Sequence, residues 1–360
     1  MSRAPRVLVS GACLGQGVGG VRRHNEELLP RLDALLREGG GALAVLEGAT
    51  PVAFPLPPSI ERLPSDVPFQ PVHRRALAES RALRAALAHA AARGRPFDLV
   101  HTAHLPSPRR LGVPFTITLH DLRSLDLEGA PLARRVLGRR ALDRATRDAR
   151  RVLCVSDVVR ARVEEEFSHA RGKTVRIGNG ADHLSLVPRK PSDPPFLLHV
   201  GHVESRKNVE VLVRALAADP ELPRLVLVGA PKGNALERLL SLAESLGVEQ
   251  RIEARGVVGD DDLAALYSTA ACCVFPSRLE GFGIGPAEAL RAGCPVALSE
   301  IAAHREAAGG GPPGFDPEDP AAAARAIRAA RAAPAPEGPL HGWGACALRW
   351  RDALLRAARG

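Results

Sequence analysis

The sequence predicts an α/β protein made of two doubly wound units, and three observations carry that prediction. Short apolar runs alternate with longer stretches of helical period along all 360 residues, and such alternation builds parallel sheets covered by helices on both faces. A short, polar, Pro-rich join, VPRKPSDPP at 187–195, divides the chain into two lengths of ordinary domain size. A composition of 45% apolar and 25% charged residues is that of a folded chain with a sizeable core. The first unit is placed at 1–187 and the second at 188–340.

In the first unit, RVLVS (6–10), PFDLVHT (96–102), PFTITLH (114–120) and RVLCVS (151–156) read as strands. FLLHVG (196–201), RLVLVG (224–229), RIEARGVV (251–258), ACCVFPS (271–277) and PVALSE (295–300) are those of the second. HNEELLPRLDALLRE (24–38) and NVEVLVRALAAD (208–219) have helical period. The Pro-rich segment 51–72 and the segment 308–320 are expected as irregular loops, and 321–336 as a helix followed by a turn. Ligands of doubly wound sheets bind at the carboxyl ends of the strands, so a cleft between the units is the expected site.

Composition narrows the function classes. No window approaches the ~18 apolar residues of a spanning helix, and the first residues lack the apolar stretch of a signal peptide, so a cytoplasmic location is expected. Six scattered cysteines form no C-x-x-C pair, which argues against a disulfide framework and a zinc ribbon; Cys272 and Cys273 read as buried thiols. Aromatic residues are 3% of the chain, too few for base-stacking platforms, so no nucleic-acid partner is expected. The net charge of +9 lies in the first unit, where 29 Lys and Arg face 19 Asp and Glu. Segment 134–151 alone holds eight arginines. An Arg-rich solvated surface is the favoured reading, and peripheral contact with an anionic membrane face, to reach a lipid-linked acceptor, is the alternative.

Four loops carry residues suited to chemistry. EGFGIGPAEAL (280–290) sets Glu280 and Glu288 eight apart around Gly281, Gly283 and Gly285, with Pro286 in a first helical turn. Glycines admit a ligand close to the backbone, helix-start N–H groups attract phosphate, and carboxylates accept hydrogen bonds from sugar hydroxyls. Glu288 is expected one or two residues inside that helix. In HVGHVESRKN (199–208) a strand-end loop carries His202, Glu204, Arg206 and Lys207, cations suited to a diphosphate. TITLHDL delivers His120 and Asp121 to a strand end, where an imidazole can bind a sugar or shuttle a proton. GACLGQGVGGVRRHNEELL (11–29) is a Gly-rich strand-to-helix loop without an evident acidic ribose partner. Asp260–Asp262 read as a helix cap rather than a metal motif.

Taken in order, these segments resemble the family-4 retaining glycosyltransferases of the GT-B fold, the mannosyltransferase-like members of polysaccharide assembly in particular. The resemblance runs from Gly19-Gly20-Val21, through TITLHDL, VLCVSDVVRARV and IGNGADHL, to HVGHVESRKN and the E-x7-E segment EGFGIGPAEAL. It implies two Rossmann-like domains facing across a cleft, an N-terminal acceptor domain and a C-terminal donor domain, with the helix at about 341–360 packed back onto the first. It implies that Lys207 binds the donor diphosphate, assisted by Arg206, that Glu288 holds the ribose hydroxyls, and that Glu280 holds hydroxyls of the sugar. Backbone N–H groups of Phe282, Gly283 and Ile284 would contact sugar and phosphates. His120 would face the sugar, Gly19 and Gly20 would approach the phosphate as the cleft closes, and Val257 and Val258 would lie near the base.

The implied reaction transfers a sugar, a mannose-like hexose favoured, from a GDP- or UDP-linked donor to a hydroxyl of a glycan or lipid-linked acceptor. Configuration would be retained, without a metal and without a resident cofactor. Two departures stand out: His202 replaces the Arg common after the strand-end glycine, and His304-Arg305 replaces the usual Leu-Pro before Glu306. A non-catalytic GT-B nucleotide-sugar-binding protein and a GT-B nucleotide-sugar epimerase are the alternative readings. A nicotinamide enzyme built on the first glycine loop would leave the second half unexplained.

Overall fold

The computed structural model describes residues 3–15, 19–102, 104–105, 107–123, 125, 132–310, 314–334 and 341–359. The chain separates into two units, Met1–Asn179 with Trp343–Gly360, and Gly180–Gly342. The division falls eight residues before the expected 187/188 boundary, because Gly180–Val187 packs with the second unit: Ala181 N–H donates to His341 O at 2.7 Å and Arg291 to Leu184 O at 2.8 Å.

The first unit runs β1 (Arg6–Gly11), α1 (Gly20–Glu38), β2 (Ala42–Glu47), β3 (Glu61–Leu63), α2 (Val72–Ala92), β4 (Leu99–Thr102), β5 (Phe115–Leu119), α3 (Leu132–Asp148), β6 (Arg151–Cys154), α4 (Asp157–Glu166) and β7 (Thr174–Arg176). Its seven strands lie in the order β3-β2-β1-β4-β5-β6-β7, all parallel. Every residue of β1 is buried, as expected of a central strand covered on both faces. α1 begins at Gly20, four residues ahead of the helical period read from HNEELL, and holds Pro30 within its length. Its stripe of Leu28, Leu29, Leu32 and Leu36 is buried and α1 packs on the C-terminal helix of this unit, so burial outweighs the local cost of the proline.

The second unit runs β8 (Phe196–Val200), α5 (Glu210–Ala218), β9 (Arg224–Val228), α6 (Ala235–Ser245), β10 (Ile252–Gly256), α7 (Asp260–Thr269), β11 (Cys272–Phe275), α8 (Ile284–Arg291), β12 (Val296–Leu298), α9 (Ala302–Ala307) and α10 (Pro320–Ala332). Its parallel sheet has the order β10-β9-β8-β11-β12. The chain leaves β8 for β9 and β10 on one side, then crosses to β11 and β12 on the other. The carboxyl ends of β8 and β11 are therefore neighbours whose following loops diverge, which opens a crevice at the topological switch. One core layer is built from Leu197, Leu212, Leu225 and Val274, the other from Leu198, Val226, Tyr267 and Phe275. α11 (Trp343–Arg359) returns to the first unit and buries Trp343 and Trp350 there.

Three strands are absent from the sequence reading. β2 (ALAVLE) is a short buried apolar run that the reading passed over, and β3 lies inside the Pro-rich segment 51–72 expected as a loop. β7 is a three-residue edge strand, TVR, none of it fully buried, so no apolar run marks it. Asp260–Asp262 form the first turn of α7, whose cap is Gly259; the acidic run complements the helix dipole rather than capping it.

Candidate functional site

The site of the second unit is assembled from two loops at the switch. After β8 the chain turns at Gly201 (φ 152°) and passes through a short 3-10 turn, Ser205–Lys207, that presents Arg206 and Lys207. Asn208, at φ 54°, ends this turn in the left-handed region that asparagine tolerates, and its amide donates to Pro317 O at 2.6 Å. After β11 the chain carries Ser277 and Glu280 and enters α8 through Gly283 at φ 100°, a conformation that favours glycine. Gly229, at the end of β9, also has positive φ (135°), and a Cβ there would collide with the carbonyl of Gly201, so the loops after β8 and β9 meet backbone to backbone.

Glu280 joins these loops. Its Oε1 accepts from Lys207 Nζ and from Ser277 Oγ at 2.7 Å, and its Oε2 accepts from Arg206 at 2.9 Å. Arg206 also donates to Leu279 O at 3.2 Å and pairs with Glu204 at 2.7 Å. Burial alone would raise the Glu280 carboxyl, but Lys207 and Arg206 outweigh it and hold it at about 2. The carboxylate is thus charged at neutral pH, and it holds two cations against the loop that leads into α8. His202 is half-buried, and burial followed by Lys232 lowers its pKa.

Glu288 stands at the fifth position of α8, not one or two residues inside it, because the helix starts at Ile284, two residues ahead of Pro286. It is buried, its Oε2 accepts from Tyr267 at 2.8 Å, and its Oε1 lies 3.2 Å from His183 Nε2. Burial, then the neighbouring Glu288 charge, pushes the Tyr267 hydroxyl far up, so Tyr267 acts here as a donor. Phe282 is buried against the edge of the His341 ring, with centroids 5.1 Å apart, and Ile284 opens the helix. Val257 is 57% exposed just after β10. Two further imidazoles, His199 on β8 and His304 on α9, are fully buried beside these loops.

In the first unit, Gly19 (φ 112°) precedes α1 and Gly20 is its first residue. His120 follows β5 and stacks edge-on against His24 of α1, centroids 4.7 Å apart. Burial, then the proximity of His24 and His101, drives the His120 pKa well down, so it is a neutral imidazole. His24 donates through Nδ1 to Asn179 Oδ1 at 2.7 Å, and burial lowers it to about 4. At the ends of β1 and β4 lies a different pair: His104 Nε2 is 2.9 Å from Glu79 Oε2, and Ser10 Oγ donates to Glu79 Oε1 at 2.6 Å.

The structure therefore brings Lys207, Arg206, Glu280, Phe282, Gly283, Ile284 and Glu288 to one end of the second sheet. Gly19, Gly20 and His120 stand at strand-end loops of the first unit. Sequence reasoning missed Ser277, Tyr267 and His183 as partners of the two acids, and His199 and the Glu79–His104 pair altogether. Tyr267 is the single tyrosine of the chain, which was its one available signal. Cys272 and Cys273 are buried, and the Cys273 and Cys294 sulfurs are 3.3 Å apart. Among the described residues no helix is long and apolar enough to cross a membrane.

Two units, each with a parallel doubly wound sheet, the second carrying a Lys–Glu–glycine loop before a helix start, place the chain in the class of α/β proteins with two Rossmann-like domains. Two family models match adjoining stretches, Glycosyltransferase Family 4 over residues 18–183 and Glycosyl transferases group 1 over 184–335. The chain belongs to this family of glycosyltransferases. It is 35% identical over 177 residues to the serotype-specific mannosyltransferase WbdA of Escherichia coli, 48% of this chain and 22% of that protein. It is 30% identical over 246 residues to the D-inositol 3-phosphate glycosyltransferase of Thermobispora bispora, covering 59% of this chain and 56% of the other. The chain thus spans about a fifth of the first relative's length and about half of the second's. Among solved structures, sucrose-phosphate synthase from Thermosynechococcus elongatus superposes with a TM-score of 0.70 at 21% identity, over 99% of this chain and 95% of the other. HepE of Anabaena, solved with UDP and glucose, superposes at 0.63 with 20% identity, over 90% and 89%. These likenesses show the fold, which is GT-B.

Proposed function

We propose that the protein transfers a hexose, with mannose favoured, from a nucleoside diphosphate sugar to an acceptor hydroxyl in glycan, polysaccharide or glycolipid assembly, with retained configuration. The observation that carries this reading is the Lys207–Glu280–Arg206 cluster at the start of α8. Departure of the diphosphate is the step at which charge develops, and preorganised cations and helix-start N–H groups stabilise developing charge most when water is excluded. Lys207 and Arg206 supply that charge. The bond from the anomeric carbon to the phosphate oxygen breaks with its electron pair on the diphosphate. The acceptor oxygen bonds to the same face, and the leaving phosphate oxygen takes its proton. In this reading no metal ion is needed for the leaving group.

Glu288 is assigned to the ribose hydroxyls, held in place by Tyr267. Phe282, Gly283 and Ile284 offer backbone N–H groups to sugar and phosphate. In the first unit, the acceptor side by this reading, His120 serves as a neutral hydrogen-bonding imidazole, and the exposed Gly19 and Gly20 leave the start of α1 open to a ligand. Relatives named for mannose and for inositol phosphate, and a neighbour solved with UDP and glucose, support a GDP- or UDP-linked donor. On α3, Leu132 and Leu137 are 72% and 65% exposed among arginines, which supports peripheral contact with an anionic leaflet that carries a lipid-linked acceptor.

Thermal shift with UDP, GDP, ADP, TDP and NAD tests the donor side, since a ligand that binds only the folded state raises the midpoint. A rise with one nucleoside diphosphate is expected; a rise with NAD alone, or with none, removes the reading. Donor turnover with and without a glycan acceptor then separates transfer from epimerisation of the donor itself.

A further inference from the structure

We propose that His199 and His304 read the hydroxyl groups of the transferred sugar, each accepting a hydrogen bond at Nε2 from a free hydroxyl of the hexose. The inference rests on the transferase reading above and extends it to two residues that no part of the reading uses.

Three observations lead there. Both side chains are buried, with residue exposures of 0% and 1%, and both Nε2 atoms lack a hydrogen-bond partner among the described residues. A buried polar atom left unpaired is costly, and such atoms cluster where a ligand or water completes them. Both rings also face the two loops of the site. A Cβ on Gly201 would lie 3.5 Å from His199 Nε2 and 3.5 Å from Lys207 Nζ, so both stand against the loop after β8. A Cβ on Gly283, where α8 starts, would lie 3.6 Å from His304 Cδ2, the ring atom bonded to Nε2. The charges of Lys207 and Glu280 act on both rings.

The hydrogen bonds at the other nitrogen decide which chemistry these atoms recognise. His199 Nδ1 lies 2.9 Å from Val274 O, an acceptor, so Nδ1 carries the proton and donates. His304 Nδ1 lies 3.2 Å from Ser299 O and 3.1 Å from Ser299 Oγ, whose own proton is committed to Ser277 O at 2.6 Å. Its Nδ1 is therefore the donor as well. Burial, the largest influence on each ring, keeps both neutral by lowering them to about 4. A neutral imidazole protonated at Nδ1 offers only a lone pair at Nε2. That lone pair repels phosphate oxygens, which are also acceptors, and binds O–H groups. The division of labour follows: Lys207 and Arg206 hold the diphosphate, and the imidazoles hold the sugar.

The test compares affinity for a nucleoside diphosphate with affinity for its sugar conjugate, using UDP with UDP-glucose and GDP with GDP-mannose, by calorimetry at pH 7.5. His304→Leu and His199→Leu are expected to leave the diphosphate dissociation constant unchanged and to weaken the sugar conjugate by about tenfold, the cost of a lost hydroxyl partner. His304→Gln, which restores an acceptor oxygen, is expected to recover part of that loss. Donors lacking one sugar hydroxyl should bind wild type about tenfold more weakly and the matching Leu variant no more weakly still. Equal losses for diphosphate and conjugate, or no loss for the conjugate, overturn the proposal while leaving the transferase reading standing. Failure of wild type to bind either diphosphate overturns the transferase reading itself, and this inference with it. Each variant is checked for an unchanged thermal midpoint, and the two His304 variants decide the matter alone if His199→Leu does not fold.

Discussion

Glu280 shows how one residue ties stability to the site. Its side chain is 8% exposed, and three donors from two loops converge on it. Lys207 and Arg206 outweigh burial and hold its folded pKa at about 2, against an ordinary value of 4.5. A depressed carboxylate contributes stability that is present above the unfolded value and lost as pH falls through the folded one. Glu280→Gln should therefore cost on the order of 3 kcal/mol at pH 7, and the difference from wild type should shrink between pH 4.5 and pH 2. Urea unfolding of both proteins across that range checks it; a gap that does not change with pH contradicts the ion-pair account. Lys207→Ala and Glu288→Ala should each lower turnover by about 10²-fold or more while the protein stays folded. Wild-type turnover in both would remove the site assignment. At this scale the sequence was legible where spacing carries chemistry, as with Glu280 and Glu288 about three glycines. It was silent where a partner comes from a distant element, as Tyr267 of α7 does for Glu288, because nothing in spacing records what the fold brings together.

Burial made the central strands legible but did not by itself decide which elements the sequence shows. β8, β9 and β11 stand out as apolar runs, since a parallel strand covered on both faces has no polar alternation to blur it, while β10 (IEARG) is a polar, part-exposed edge strand marked by its place in the strand–helix alternation. β3 and β7, edge strands of three residues with none of them buried, went unread, and so did β2, although five of its six residues are buried. The start of α8 was misplaced: Pro286 tolerates the first position, and so suggests one, but Gly283 at φ 100° is the true entry. Gly283→Ala should cost roughly 1–2 kcal/mol from the left-handed backbone alone, since its Cβ would meet neighbours no closer than 3.4 Å. A thermal midpoint equal to wild type would contradict that. On α3, replacing Leu132 and Leu137 by Ser should leave the midpoint unchanged, both being largely exposed. The same change should weaken salt-sensitive partition onto anionic vesicles several-fold, whereas partition equal to wild type would leave α3 as an ordinary Arg-rich surface.

Across the whole chain, histidine burial sets a pH window that neither unit escapes. Burial lowers His24, His199 and His304 to about 4 and His101 to about 3, and it drives His120 well down, against an ordinary value of 6.5. Between the folded and unfolded values the unfolded chain binds more protons, so stability falls as pH drops from 6.5 towards 4. Each group at about 4 contributes on the order of 3 kcal/mol over that span, and a few such groups equal the whole stability of an ordinary domain. His104 works in the opposite direction. Burial lowers it, but Glu79 and then Cys13 outweigh burial and raise it to about 10, so its contribution is complete below 6.5 and is lost as pH rises towards 10. Stability should therefore crest near pH 6.5 and fall on both sides, rather than hold level until carboxylates titrate near pH 4.5. The urea midpoint measured from pH 5 to pH 9 checks this, and a plateau from 5 to 9 contradicts it. His304→Gln should make the acid limb shallower, because it removes one group that must stay neutral, and Glu79→Gln should flatten the alkaline limb, because it removes the anion that keeps His104 charged, while burial of the unpaired His104 steepens the acid limb.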